Sequence, residues 1–227
     1  MSSAKSVATR SVAPPGAFPL SPLQEGMLYH AVAGGLSGED VEQILCTLSE
    51  PLDSSALRAA WLSVIERHES LRTRFLWQGV ERPVQLAESA YPLDIRHEDW
   101  SGSVAAARSD RIGALMHADR CEPFDLSRLP LMRVTVIRMA SNEWQMLWTF
   151  HHILLDGRSF PLILTDLFDT YDAFRDGLAP ELTPLPQHRD FIAWLGQRSP
   201  SESEDFWRRT LAGFRSPTPL PLAGLAP

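Results

Sequence analysis

EWQMLWTFHHILLDGRSFPLILTDLFDTYDAFR, residues 143–175, changes its hydrophobic period halfway along. Up to His152 the pattern is that of a strand: Trp144, Met146, Trp148, Phe150 and His152 share one face, and Gln145, Leu147, Thr149 and His151 share the other. From Phe160 the apolar residues Ile163, Leu164, Leu167, Phe168, Tyr171 and Phe174 recur at intervals of one, three and four residues. That spacing predicts a helix to about Arg175, stopped by Gly177. A strand feeding an amphipathic helix through a short polar turn is a unit of layered α/β structure.

The segments around this unit agree with it. LMRVTVIRM, 131–139, and EWQMLWTFHH, 143–152, read as two strands of a hairpin joined at ASN. VEQILCTL, 41–48, is rich in β-formers and lies between Gly- and Pro-containing turns. Asp53 caps a helix whose buried face is Leu57, Ala60, Trp61, Val64 and Ile65; alternation at Leu71, Thr73, Phe75 and Trp77 then predicts a strand. Ser21 caps an earlier helix with Pro22 at its first position, ended by Gly34 and Gly35. RPVQL and LDIRHEDW are short β-like pieces, and Ser103 opens a helix with Val104, Ala107, Ile112, Leu115 and Met116 near one face. Helices and strands are interspersed without a strict βαβ rhythm, so a two-layer α/β sandwich is expected. No Gly-rich loop follows a strand, so neither a dinucleotide nor a P-loop phosphate site is signalled.

The expected organisation is a loose leader over 1–17, a main lobe over 18–178 and a Pro-containing linker over 179–187. Two amphipathic helices follow within 188–214, then a Pro-rich tail over 215–227. With 21 Lys plus Arg against 28 Asp plus Glu, a net charge of −7 and no basic tract, nucleic acid is not an expected partner. Cys46 and Cys121 lie far apart with no CxxC, so neither zinc nor a disulfide framework is suggested, and a reducing cytoplasm fits. The leader has no continuous apolar stretch, and no membrane anchor is expected.

Chemistry concentrates in the turn between the strand and helix of 143–175. Alternation points His151 and His152 in opposite directions, so one can pack inside the lobe while the other faces an opening. Asp156 can pair with an arginine and lock the loop, and Gly157 lets its backbone N–H approach a ligand at a helix start. A histidine able to move a proton beside an N–H able to hold an oxyanion suits acyl transfer. On spacing alone, paired structural histidines and an ordinary Asp-Gly cap explain the same residues equally well.

HHILLDG resembles the HHxxxDG signature of the chloramphenicol acetyltransferase-like superfamily. LSPLQEGMLYH at 20–30, RHESLRTRF at 67–75, PFDLSRLPLMRV at 123–134, RDFIAWL at 189–195 and FWRRTLAGF at 206–214 are similar, in order, to condensation domains of nonribosomal peptide synthetases. The resemblance implies one lobe, the N-terminal one, of the two-lobed chloramphenicol acetyltransferase-like fold, with the site in a tunnel between lobes. It implies amide formation between an acyl or aminoacyl thioester and the amine of an aminoacyl thioester. Both substrates would ride on phosphopantetheine arms of donor and acceptor carrier proteins, with no directly bound cofactor or metal.

By the same resemblance His152 is catalytic, His151 is structural and Gly157 lines the site with its backbone. Asp156 is expected to form a salt bridge with an arginine of the second motif, Arg67 first and Arg72 second. On spacing alone Arg67 is a solvated charge at a helix end. The family commonly has Trp after DG; here Arg158 stands there, with Ser159 beside it, as a solvated first-turn residue or a cleft contact. A second lobe, in the same or another chain, is expected to be needed for activity. The competing expectations are a non-catalytic module that docks a carrier protein and an acyl-CoA-dependent O- or N-acyltransferase.

Overall fold

The computed structural model describes residues 13–34, 40–102 and 104–216. Its elements run in the order β1 (Phe18–Pro19), α1 (Pro22–Ala33), β2 (Val41–Leu48), α2 (Ser54–Arg67), β3 (Thr73–Leu76), β4 (Val84–Ala87), β5 (Ile95–Asp99), α3 (Ala105–Cys121), β6 (Met132–Ala140), β7 (Glu143–His151), α4 (Ser159–Arg175), α5 (His188–Gly196) and α6 (Pro200–Thr210). The described chain divides into two compact units between Ile192 and Ala193.

The first unit is mixed α/β. Its larger sheet has the order β2-β7-β6-β5, with β7 antiparallel to both neighbours and β5 parallel to β6. The alternation in 143–151 emerges as two packed faces. Met146, Trp148 and Phe150 join Met132, Val134 and Val136 in a core shared with Leu57, Ala60, Trp61, Val64 and Ile65 of α2 and Ile163, Leu167 and Tyr171 of α4. Trp61 lies 5.2 Å from Trp148 and Trp148 4.5 Å from Phe150, ring centre to ring centre, within the range of favourable aromatic packing. On the opposite face, Ile112 and Leu115 of α3 pack against Trp100, Ile137 and Met139.

A smaller sheet, β1-β4-β3, is antiparallel throughout. The predicted alternation from Leu71 to Trp77 is broken: Glu69–Arg72 form a 3₁₀ turn, and only Thr73–Leu76 pair as a strand. The reason is local, since the Thr73 hydroxyl donates to the Glu69 carbonyl and the Leu71 N–H to the His68 carbonyl, closing a turn where strand pairing was expected.

Several caps behave as their residue types dictate. Ser21 accepts from the Gln24 N–H, Gln24 reaches back to the Ser21 N–H, and Pro22 fills the first turn. Asp53 accepts from the N–H groups of Ser55 and Ala56. The helix expected to open at Ser103 has Val104 at its cap instead, without a side-chain bond; Ser103 lies outside the described residues, as do Gly35 and the leader up to residue 12. Gly177 stops α4 with φ +72°, a conformation that favours glycine. In the second unit, α6 starts at a Ser199 cap and exposes Phe206 and Trp207, with Leu211 and Phe214 exposed just beyond.

Candidate active site

The interior strand β7 ends at His151, and the chain turns immediately to lead into α4. The strand's pairing continues one step past its end: the His152 N–H donates to the Asp40 carbonyl at 2.7 Å, while the His151 N–H donates to the Leu131 carbonyl on the other side. The first residues of the loop are therefore gripped from both flanking strands.

His151 is buried, with its ring edge-on to Phe124 at 6.4 Å between centres. Its Nδ1 accepts the Ile153 N–H at 3.1 Å, which leaves the proton of the neutral ring on Nε2. Burial pushes its pKa down to about 4; repulsion from His152 adds to that and attraction to Asp40 opposes it. This ring is a neutral packing and hydrogen-bonding group.

His152 is half-buried, and its Nδ1 lies 2.6 Å from the Leu155 carbonyl. A carbonyl only accepts, so Nδ1 carries the proton and the neutral ring presents the Nε2 lone pair as its remaining functional atom. The two adjacent imidazoles thus hold opposite tautomers, each selected by a backbone group.

Asp156 is exposed. Its Oδ1 accepts the N–H groups of Arg158 and Ser159 and the Ser159 hydroxyl, at 3.0, 2.9 and 2.7 Å. These bonds, the Ser159 hydroxyl first, hold its carboxyl below the usual range, and the carboxylate sits where the N-terminus of α4 favours negative charge. Ser159 is therefore a capping donor, and Arg158 occupies the cap position with an exposed side chain.

The expected salt bridge of Asp156 with Arg67 or Arg72 is not formed. Arg67 Nε donates to Asp166 Oδ2 at 2.8 Å, His68 Nε2 lies 2.6 Å from the same oxygen, and an Arg67 Nη also reaches the Thr183 carbonyl. Arg72 donates to the Glu88 carbonyl at 2.7 Å. The local cap at the start of α4 engages Asp156, and packing of α2 on α4 brings Arg67 to Asp166, a residue the spacing did not single out. Glu69, next in the motif, is buried and holds Arg189 through both carboxylate oxygens, Oε1 to the Arg189 N–H and Oε2 to the guanidinium.

Gly157 has no left-handed φ, and a Cβ built on it would meet nothing within 4 Å. Neither backbone strain nor packing requires glycine there, so what the missing side chain provides is open space beside the backbone. Among the described residues no group of three or more His, Cys, Asp or Glu is placed to hold a metal ion, and no helix is long and apolar enough to cross a membrane.

Residues not singled out as candidates complete the surroundings: Asp40, Leu155 and Phe124 touch the histidines, and Gln24 and Gln85 form a buried amide pair behind the loop. A glutamine on the inward face of RPVQL is the one signal that could have exposed the last of these.

The sequence model described as Condensation domain matches residues 15–225. A linear gramicidin synthase of Brevibacillus parabrevis is 37% identical over 204 residues, covering 90% of this chain and 3% of that protein. Bacitracin synthase 3 of Bacillus licheniformis is 31% identical over 204 residues, covering 90% and 3%. Among solved structures, the starter condensation domain of rhizomide synthetase RzmA, a mutant in complex with C8-CoA and Leu-SNAC, superposes with a TM-score of 0.81 at 19% identity, covering 90% of this chain and 47% of that one. The first condensation domain of the calcium-dependent antibiotic synthetase gives 0.76 at 22% identity, covering 88% and 48%. The chain spans a small part of these synthetases and about half the length of the solved domains, and it belongs to the condensation-domain family.

Proposed function

We propose that this chain is one half of a site that forms an amide bond in nonribosomal peptide synthesis. The substrates are an acyl or aminoacyl thioester and an aminoacyl thioester, each carried on the phosphopantetheine arm of a carrier protein. The remaining half of the domain, in the same polypeptide or another, supplies the opposite wall.

The observation that carries this reading is the fixed tautomer of His152. With Nδ1 committed to the Leu155 carbonyl, Nε2 is the atom able to accept a hydrogen bond or a proton from the attacking amine. Amine nitrogen attacks the thioester carbonyl and gives its excess proton to Nε2; the C–S bond then breaks, and the departing thiolate takes that proton back from Nε2 to leave as the free thiol on its arm. The open backbone at Gly157 gives the developing oxyanion room to approach the Gly157 N–H, since the Arg158 and Ser159 N–H groups are committed to Asp156. His151 holds the turn and exchanges no proton near neutrality, because burial keeps its ring neutral.

The thioester is already activated and both substrates are tethered, so orientation supplies much of the rate. The contribution of His152 therefore belongs at the low end for acid–base groups, about a hundredfold. The test is a carrier-to-carrier transfer assay, read by mass spectrometry, on a two-lobe domain containing this sequence. His152→Ala is expected to lower turnover by that factor, and near-wild-type turnover refutes the assignment.

A further inference from the structure

Gln24 lies 129 positions before Ile153 in the sequence, yet its Nε2 donates to the Ile153 carbonyl at 3.2 Å, inside the protein. The bond is part of a closed network. Gln24 and Gln85 exchange reciprocal amide hydrogen bonds of 3.1 and 2.9 Å, Gln85 Nε2 also donates to the Pro19 carbonyl, and Gln24 Oε1 also accepts the Ser21 N–H. Gln24 is 8% exposed and Gln85 fully buried. Both amide protons and both acceptor positions of Gln24 are used, so its orientation is fixed: reversing the amide would turn its oxygen toward the Ile153 carbonyl.

Capping α1 requires only the Gln24 oxygen. The nitrogen does something else. Ile153 follows His152 directly, and its peptide groups are held at both ends, the N–H by His151 Nδ1 and the C=O by Gln24. That residue sets the path from His152 to the Leu155 carbonyl, the acceptor that fixes the His152 tautomer.

We infer that Gln24 is a positioning residue for His152, with Gln85 as its brace. The inference rests on the reading of His152 as the group that meets the acceptor amine. It links the first motif of the chain, LSPLQEGMLYH, to the chemistry of HHILLDG through one side-chain nitrogen.

The test follows the ring nitrogens of His152 by ¹⁵N NMR in the whole 227-residue chain, a readout independent of turnover. Gln24→Met removes the donor at similar size; should it fail to fold, Gln24→Glu keeps the acceptors for Ser21 and Gln85 while setting an oxygen against the Ile153 carbonyl. Leu28→Ala serves as the control, since Leu28 is buried on α1 and its loss destabilises the same helix without touching the amide network.

The wild type is expected to show the Nδ1–H tautomer. The Gln24 variant is expected to show a mixture of tautomers, Gln85→Met a smaller change in the same sense, and Leu28→Ala the wild-type pattern. In a two-lobe domain kcat falls about tenfold in the Gln24 variant with KM within about twofold, as a displaced but present catalytic group requires. An unchanged His152 pattern in the Gln24 variant, or an equal disturbance in Leu28→Ala, overturns the inference. Full turnover by His152→Ala would instead remove the functional reading and leave the NMR result to decide the positioning role.

Discussion

His151 shows how one buried ring makes the whole molecule sensitive to pH. Its pKa drops from the ordinary 6.5 to about 4 on folding, so between those values the unfolded chain binds the extra proton and the folded chain does not. Its contribution is complete above about pH 6.5 and is lost as pH falls toward 4. Burial also lowers the pKa values of His68 and His188, which act in the same direction. The His151 share is about 2 kcal/mol between roughly pH 7.5 and 5. His151→Asn keeps an acceptor for the Ile153 N–H and cannot titrate, so urea denaturation at the two pH values is expected to show a correspondingly smaller loss than in the wild type. An identical loss would mean that His151 is not the group responsible. Gly157→Ala gives a complementary expectation. With no left-handed φ and open space at the new Cβ, unfolding free energy changes by less than about 0.5 kcal/mol, while condensation by a two-lobe domain falls because the methyl intrudes on ligand space. A folded, fully active Gly157→Ala enzyme would argue against that use of the backbone.

Between elements, the RHE stretch ties segments together. Arg67 and His68 meet Asp166 on α4 and Glu69 holds Arg189 on α5, so three consecutive residues connect α2 to two later helices. Removing Asp166 would leave the Arg67 guanidinium, only 12% exposed, without its carboxylate. Asp166→Ala is therefore expected to cost about 2 kcal/mol in chemical denaturation with an unchanged m-value. Asp156→Asn, which keeps an oxygen for the exposed cap, should stay within about 0.5 kcal/mol. The reverse order of effects would restore the Asp156 pairing. The contrast also marks how far the sequence was legible. β2 and the buried face of α2 were readable because their patterns are local, eight β-forming residues in one case and a helical stripe in the other. The partner of Arg67 was not, because it depends on which turn of α4 lies opposite it, and no spacing within either segment carries that information.

At the scale of the molecule, the opposite orientation of His151 and His152 was legible because strand alternation separates them without any tertiary knowledge, whereas the role proposed for His152 was legible only through the resemblance of HHILLDG to a known signature. The parallel pairing of β5 with β6 and the position of α3 across the second sheet face were not, since both depend on chain crossings. The half-domain length sets a further expectation. On the proposed reading this chain supplies one wall of the site, so the purified 227-residue chain should form no amide from loaded carriers, and adding a second lobe should restore it. Amide formation by the chain alone, followed by mass spectrometry, would show that one wall is enough.

The location of the histidines on β7 also has a kinetic consequence. β7 is paired along its length with β2 on one side and β6 on the other, and the His152 N–H extends the β2 side by one more bond, to Asp40. Backbone amides enclosed in this way exchange with solvent only through large openings, whereas those of solvent-facing connections exchange through small ones. In a deuterium-exchange time course the amides of His151 and His152 should therefore persist with the strand interior, while those of Asp156 to Arg158, a few residues on, exchange early. On the proposed reading, the proton-handling end of the loop would then be as durable as the sheet, and the end assigned to the ligand free to adjust.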